Sequence, residues 1–142
     1  MTTTKTPLLI LTSFHSDGEL QTIPGIYLSY REARDAFIES CRNIDYNTEV
    51  HHTTVEITAE SLREQWAGED LIRAVARYCA LVAVEAGAPA IAEGTIQREW
   101  AREIDAFEGD YDFLREVCGA DVDRGLFRSY YLDELFEASP CA

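Results

Sequence analysis

Residues 7–13, P-L-L-I-L-T-S, decide the class of fold, because they form an apolar run of strand length near the start of the chain. The turn-forming residues 15–18 follow, and residues 19–28 offer a second strand. The two runs therefore predict a β-hairpin with a slightly long connection. Pro24 lies in the second run and cannot donate a backbone hydrogen bond, so it predicts an edge strand or a bulge there.

A helix and a third strand complete the N-terminal part of the chain. The sequence S-Y-R-E at residues 29–32 has the spacing of a capping box and predicts the start of a helix. Phe37 and Cys41 lie on one apolar stripe of that helix, with Ile38 close by. Residues 50–57 are rich in β-branched side chains and predict a third strand.

The chain after Thr58 is predicted to be helical. Residues 61–64, S-L-R-E, form a second capping-box sequence, for a short helix that ends at Gly68. Asp70 can cap the next helix, an alanine-rich segment that is predicted to be the central buried helix and to end at Gly87. Its apolar residues recur every three or four positions. They are Leu71, Ile72, Val75, Tyr78, Cys79 and Val82.

Three further helical segments follow. Thr95 can cap the first of them, which Gly109 interrupts. Residues 112–118 make a short helix that Gly119 stops. Residues 126–136 form the last segment and place several aromatic side chains together.

These segments predict an α+β fold, with an N-terminal β-β-α-β sheet-and-helix unit followed by a mainly α-helical C-terminal half. The length of 142 residues suits a single compact unit. Within it, residues 1–58 are predicted to form a small α/β subdomain and residues 59–142 a helical acidic subdomain.

The charge of the chain restricts its partners. A formal charge of −14, from 26 acidic and 12 basic residues, repels nucleic acid and anionic membranes and attracts basic partners. No direct binding to nucleic acid or to a membrane is expected. The first residues have too short an apolar run for a signal peptide, so a cytoplasmic location is predicted.

The acids of the C-terminal part concentrate in the stretch R-E-I-D-A-F-E-G-D-Y-D-F-L-R-E at residues 102–116, where apolar residues lie between them. This pattern predicts a folded surface, packed on one side and negative on the other. Residues 99–142 hold twelve acids and four arginines, a balance of −8. The predicted acidic face consists of Glu103, Asp105, Glu108, Asp110, Asp112, Glu116, Asp133, Glu134 and Glu137.

The spacing of these acids suggests a DNA mimic. Residues four apart on a helix lie about 6 Å apart, close to the separation of about 7 Å between successive phosphates of a DNA strand. Such carboxylates can occupy a basic groove that normally holds DNA. The alternative is an acidic face that serves only solubility.

A catalytic site is not predicted. The adjacent residues His51 and His52 point to opposite faces of a strand and cannot readily bind one metal together. The cysteines lack the paired spacing of structural zinc sites, and free buried thiols are expected. Asp110, Asp112 and Glu116 resemble a magnesium-binding cluster, although D-x-D is also common where helices begin. No cofactor and no metal are expected, and the protein is predicted not to be an enzyme.

A resemblance to a known family rests on three segments. Residues 103–116, the aromatic and acidic residues 130–136, and the hairpin at residues 8–27 with its D-G-E-L sequence resemble parts of ArdA-type antirestriction proteins. The chain departs from that family in its shorter length, in its alanine-rich central helix and in lacking the arginine-aspartate pair that often follows the aromatic segment.

The resemblance implies a protein of a mobile element, phage or plasmid, that mimics DNA and blocks a host restriction or CRISPR complex. The expected partner is the basic groove of a host nucleic-acid-binding protein or complex, and a homodimer is one assembly open to the chain. Two alternatives remain. One is a regulatory or interaction module that binds through the aromatic group at residues 130–136, and the other is a metal-dependent enzyme using Asp110, Asp112 and Glu116.

Overall fold

The computed structural model describes residues 6–16, 18–40, 49–86 and 108–138. Contacts divide the chain into two compact units, which we name the sheet unit, Pro7–Ile57, and the helical unit, which takes in Thr58–Ala142. The boundary lies one residue before the predicted one. That the two units pack as one compact body stays a prediction. The β-β-α-β order at the N-terminus, the helices that follow and the α+β class are confirmed.

The sheet unit consists of strands β1 (Leu8–Ser16), β2 (Glu19–Tyr27) and β3 (Val50–Val55) with helix α1 (Tyr30–Ser40). The antiparallel sheet has the order β2-β1-β3. Pro24 lies in β2 and faces Leu11 in an uninterrupted register, so the edge-strand prediction is confirmed. The predicted hairpin connection was too long, because β1 continues to Ser16 and only two residues separate it from β2. Gly18 supplies the positive φ, 81°, that so tight a turn requires.

Helix α1 packs on the face of the sheet that carries Phe14. The Phe14 and Phe37 rings lie 4.9 Å apart between centroids, and Ala33 is buried beside them. Ile38, predicted near this stripe, is instead 56% exposed. The predicted cap is present: the Glu32 N–H donates to Ser29 Oγ at 3.2 Å, whereas the Glu32 carboxylate accepts from the N–H of Leu28 rather than of Ser29.

The helical unit contains α2 (Ala59–Gln65), α3 (Gly68–Glu85), α4 (Glu108–Cys118) and α5 (Arg124–Ala138). Helix α3 packs against the other three and is the central helix, as predicted. Half of its buried residues are alanine, which allows the neighbouring helices to approach closely. The buried residues are Leu71, Ala74, Val75, Ala76, Cys79, Ala80, Leu81 and Ala83, whereas the predicted Val82 is 40% exposed.

Three predicted helix boundaries differ in the structure. The cap of α2 is Thr58, whose side chain and backbone exchange hydrogen bonds with Ser61 three residues on. The capping box therefore spans residues 58–61 instead of the predicted residues 61–64. Asp70 lies within the first turn of α3 and does not cap it, because the helix already begins at Gly68. Gly109 does not interrupt a helix but lies in the first turn of α4.

Gly119 has φ 99° and ends α4 as predicted. The predicted helix that Thr95 would begin lies outside the described residues, as does the end predicted at Gly87. No helix within the described ranges has both the length and the apolar character needed to cross a membrane.

Candidate functional site

Helix α4 presents three acids along one line. Glu108, Asp112 and Glu116 are four residues apart, so each lies about 6 Å along the helix axis from the next. All three are exposed, and the side chains of Glu108 and Asp112 are 84% and 69% accessible. We name these three residues the acidic stripe.

Packing on the inner side of α4 orients the stripe. Tyr111, Leu114 and Val117 are buried, and the Tyr111 ring meets the Phe127 ring of α5 edge-on at 5.6 Å between centroids. Since the inner side of the helix is held by its buried residues, the stripe occupies the opposite, solvent-facing side. The predicted surface, packed on one side and negative on the other, is present along this helix.

Two arginines lie beside the stripe. Arg124 of α5 places its guanidinium 3.9 Å from the centre of the Tyr111 ring and 3.8 Å from Glu108 Oε1, while Arg115 pairs with Asp112 one turn away. Arg115 belongs to the acidic stretch at residues 102–116, and its three-residue spacing from Asp112 is itself a pairing signal. The position of Arg124 beside Glu108 was not predicted. Exposed pairs of this kind contribute only about 0–1 kcal/mol, so cations of a partner can replace them.

Asp110 does not belong to the stripe. It is half-buried and accepts a hydrogen bond from the thiol of Cys79 in α3. Burial, and after it the charge of Asp110, raise the pKa of the Cys79 thiol far above its ordinary value. Cys79 is therefore the buried, inert thiol expected from its position.

The acids suggested as a metal cluster do not converge. Asp112 and Glu116 follow the stripe, whereas Asp110 turns towards α3. Within the described ranges, no group of three histidine, cysteine or acidic side chains is arranged to hold a metal ion.

Two acids of α5 are exposed and one is buried. Asp133 and Glu137 are exposed and four residues apart, so they form a second acidic pair. Glu134 is only 6% exposed and binds Arg77 Nη1 at 2.9 Å, with Arg73 Nε at 3.6 Å. It is therefore removed from the acidic face, because its carboxylate is already engaged inside the helical unit. Of the nine predicted residues, Glu103 and Asp105 lie outside the described residues.

The aromatic group proposed as an apolar contact surface lies mostly in the core. Tyr131 and Leu135 are 2% and 1% exposed. Tyr130 is half-buried, with its hydroxyl 3.4 Å from Glu69 and Arg73 over its ring. These side chains stabilise the fold, and neither Tyr131 nor Leu135 offers apolar surface to a partner.

The two adjacent histidines face opposite sides of β3, as predicted. His51 is exposed and lies 3.4 Å from Glu49, whereas His52 is half-buried and its Nδ1 lies 3.1 Å from Thr12 Oγ1. Burial, and after it the positive charge of Arg34, lower the pKa of His52.

Acid is expected to destabilise the fold through His52. The unfolded imidazole binds a proton near its ordinary pKa of about 6.5 and the folded one only at lower pH, so the unfolded state holds more protons between those values. Stability therefore falls as the pH falls from about 6.5 through the lowered pKa of His52. Urea denaturation from pH 7.5 to 5 should show a smaller fall in His52→Gln than in His51→Gln. An equal fall in both variants would assign the acid sensitivity to other groups.

Comparison with protein-family models, with curated proteins and with solved structures finds no match to this chain. A function for the acidic stripe is therefore inferred from its geometry and charge.

Proposed function

We propose that this protein is a non-enzymatic acidic inhibitor from a phage or plasmid, which mimics DNA and blocks a nucleic-acid-binding defence complex in the host cytoplasm. The observation that carries the proposal is the acidic stripe, three exposed carboxylates repeated about every 6 Å on a helix with a packed inner side. The repeat is close to the phosphate spacing of about 7 Å along a DNA strand.

The charge balance of the helical unit supports a basic partner. Its described residues carry fourteen acids and six arginines, a balance of −8. Arg63, Arg73, Arg77, Arg115 and Arg124 bind Glu134, Asp112, Glu108 or the end of α4. Arg128 is engaged as well. The surface field is therefore negative and attracts a groove lined by arginine and lysine.

The burial of Tyr131 and Leu135 supports a contact through charge rather than through the aromatic group at residues 130–136. Asp133 and Glu137 extend the acidic surface on α5, whereas Phe127, Tyr131 and Leu135 are buried. We therefore place the contact with the partner on the acidic stripe and this second pair.

Neutralising the stripe tests the proposal. The triple variant Glu108→Gln, Asp112→Asn, Glu116→Gln removes three charges without changing side-chain size. We expect it to raise the concentration needed for half-maximal inhibition by on the order of tenfold or more, since each lost carboxylate leaves a cation of the groove unpaired. The measurement is cleavage of plasmid DNA by a type I restriction endonuclease, with a guide-directed Cas nuclease as the second arm.

A matched variant controls for net charge. Glu39→Gln, Glu60→Gln, Glu64→Gln also removes three exposed acids, on α1 and α2, and is expected to change inhibition less than the stripe variant does. Inhibition by the unaltered protein should weaken steeply between about 50 and about 200 mM salt, with a smaller slope for the stripe variant. Failure to inhibit either nuclease, or equal losses in the two triple variants, would contradict the proposal.

A further inference from the structure

Arg124 of α5 lies against two residues of α4. Its Cζ atom is 3.9 Å from the centre of the Tyr111 ring, and its Nη2 atom is 3.8 Å from Glu108 Oε1. The first distance is a close contact between a cation and an aromatic face, whereas the second is too long for a hydrogen bond. Arg124 is therefore held mainly by the ring and only loosely by the acid.

The ring is fixed, whereas the cation over it is accessible. Tyr111 is only 4% exposed, and its ring meets the Phe127 ring edge-on in the core of the helical unit. The side chains of Arg124 and Glu108 are instead 50% and 84% accessible. The guanidinium thus lies between a fixed ring and water, and it can leave the ring without breaking the contacts of the core.

An aromatic face beside a carboxylate is a combination that suits a guanidinium. The guanidinium is planar and weakly hydrated, so it can stack on a ring and still present N–H donors at its edge. An ammonium ion is compact and strongly hydrated, so it gives up more water when it meets a ring. Glu108 and Tyr111 supply the acid and the ring three residues apart, as neighbours on the surface of one helix.

We propose that Tyr111 and Glu108 form a guanidinium-binding site, which Arg124 fills in the free protein and an arginine of the partner fills in the complex. This inference rests on the proposed function, because Glu108 is the first residue of the acidic stripe. It identifies arginine, rather than lysine, as the cation that the stripe receives at that end. Arg124 is then an internal competitor of the partner, and its departure from the ring opens the site.

Chemical rescue tests the site in the full chain without any partner. Arg124→Ala empties the site, and ethylguanidinium or ethylammonium is then titrated at constant ionic strength while the Tyr111 ring signals are followed by NMR. We expect a saturable shift with ethylguanidinium, with affinity on the order of 10 mM, and binding of ethylammonium weaker by about threefold or more. Adding Glu108→Gln to the variant should weaken the binding of ethylguanidinium several-fold, because the charged acceptor is lost.

Two further variants control this experiment. Arg115→Ala also removes an arginine that pairs with a stripe acid, but it should leave the Tyr111 signals unshifted in the same titration, because Arg124 still fills the site. Arg124→Gln keeps part of the side chain over the ring and serves as the second variant if the alanine variant loses its helical circular dichroism. The site is disproved if neither Arg124 variant binds ethylguanidinium more tightly than ethylammonium.

Inhibition of the restriction endonuclease or the Cas nuclease tests the exchange of arginines. Arg124→Ala should inhibit at a several-fold lower concentration than the unaltered protein, because the partner's arginine no longer competes with Arg124. Arg31→Ala removes the same charge from an exposed position on α1 and should change inhibition by less than about twofold.

The possible outcomes separate this inference from the proposed function. A gain for Arg124→Ala no larger than that for Arg31→Ala overturns the exchange, even where the rescue by ethylguanidinium succeeds. An unaltered protein that inhibits neither nuclease contradicts the proposed function and the exchange with it, whereas the rescue experiment still decides whether Tyr111 and Glu108 bind a guanidinium.

Discussion

Replacing Glu134 by alanine is expected to lower the free energy of unfolding by about 3 kcal/mol, the lower end of the range for breaking a buried ion pair. Glu134 is 6% exposed and bridges Arg77 and Arg73 of α3 from α5. Its removal takes away the carboxylate that both guanidinium groups bind. The side chains of Arg73 and Arg77 are 60% and 29% accessible, so water replaces part of the lost contact and limits the loss.

The neighbouring residue provides the control for this prediction. Asp133→Ala removes the same charge from an exposed position and should change stability by no more than about 0.5 kcal/mol. Urea denaturation followed by circular dichroism measures both, with unchanged dependence on denaturant showing that the same surface unfolds. Equal losses in the two variants would mean that the pairs of Glu134 with the arginines contribute nothing to stability.

Replacing Phe127 by alanine is expected to have the second large effect, a loss of about 4 kcal/mol. Phe127 is fully buried between the Tyr111 ring at 5.6 Å and the Tyr131 ring at 6.0 Å. The substitution opens a cavity between α4 and α5 that these rings cannot fill without breaking their own contacts. The near-ultraviolet signal of the two tyrosines should weaken at the same time.

A substitution that keeps most of the buried volume tests whether the loss of stability comes from the cavity. Phe127→Leu keeps most of the buried volume and is expected to cost about 1 kcal/mol. Leu20→Ala, at a leucine that is 64% exposed, should be nearly neutral. A loss for Phe127→Ala no larger than that for Leu20→Ala would show that this aromatic cluster is not part of the stable core.

Helix α5 carries one acid that stabilises the fold and one that the proposed function uses for binding. Asp133 and Glu134 are adjacent acids of α5, and only tertiary contacts distinguish them. Under the proposed function, Glu134→Gln should leave inhibition by the folded protein unchanged, whereas Asp133→Asn should weaken it. Asp110 is likewise left out of the proposed contact surface, because the Cys79 thiol already donates to it.

Local patterns predicted most of the secondary structure. The strands, the hairpin, α1 and the ends marked by Gly18 and Gly119 depend on short-range chemistry: apolar runs, β-branched residues, caps and positive φ. The predicted start of α2 was less accurate. Thr58 and Ser61 can both cap a helix, and only the folded backbone shows that Thr58 is the cap and Ser61 its partner three residues on.

The sequence by itself determined the α+β class, the negative charge and the four-residue repeat of acids on α4, since these follow from composition and from spacing along the chain. Tertiary structure alone decided which acids of α4 and α5 face water. Glu134 and Asp110 have the same local signature as Asp133 and Asp112, but α3 brings Arg77 and Cys79 against them. The partner of a side chain that is distant in sequence is set by how helices pack, which no local pattern encodes.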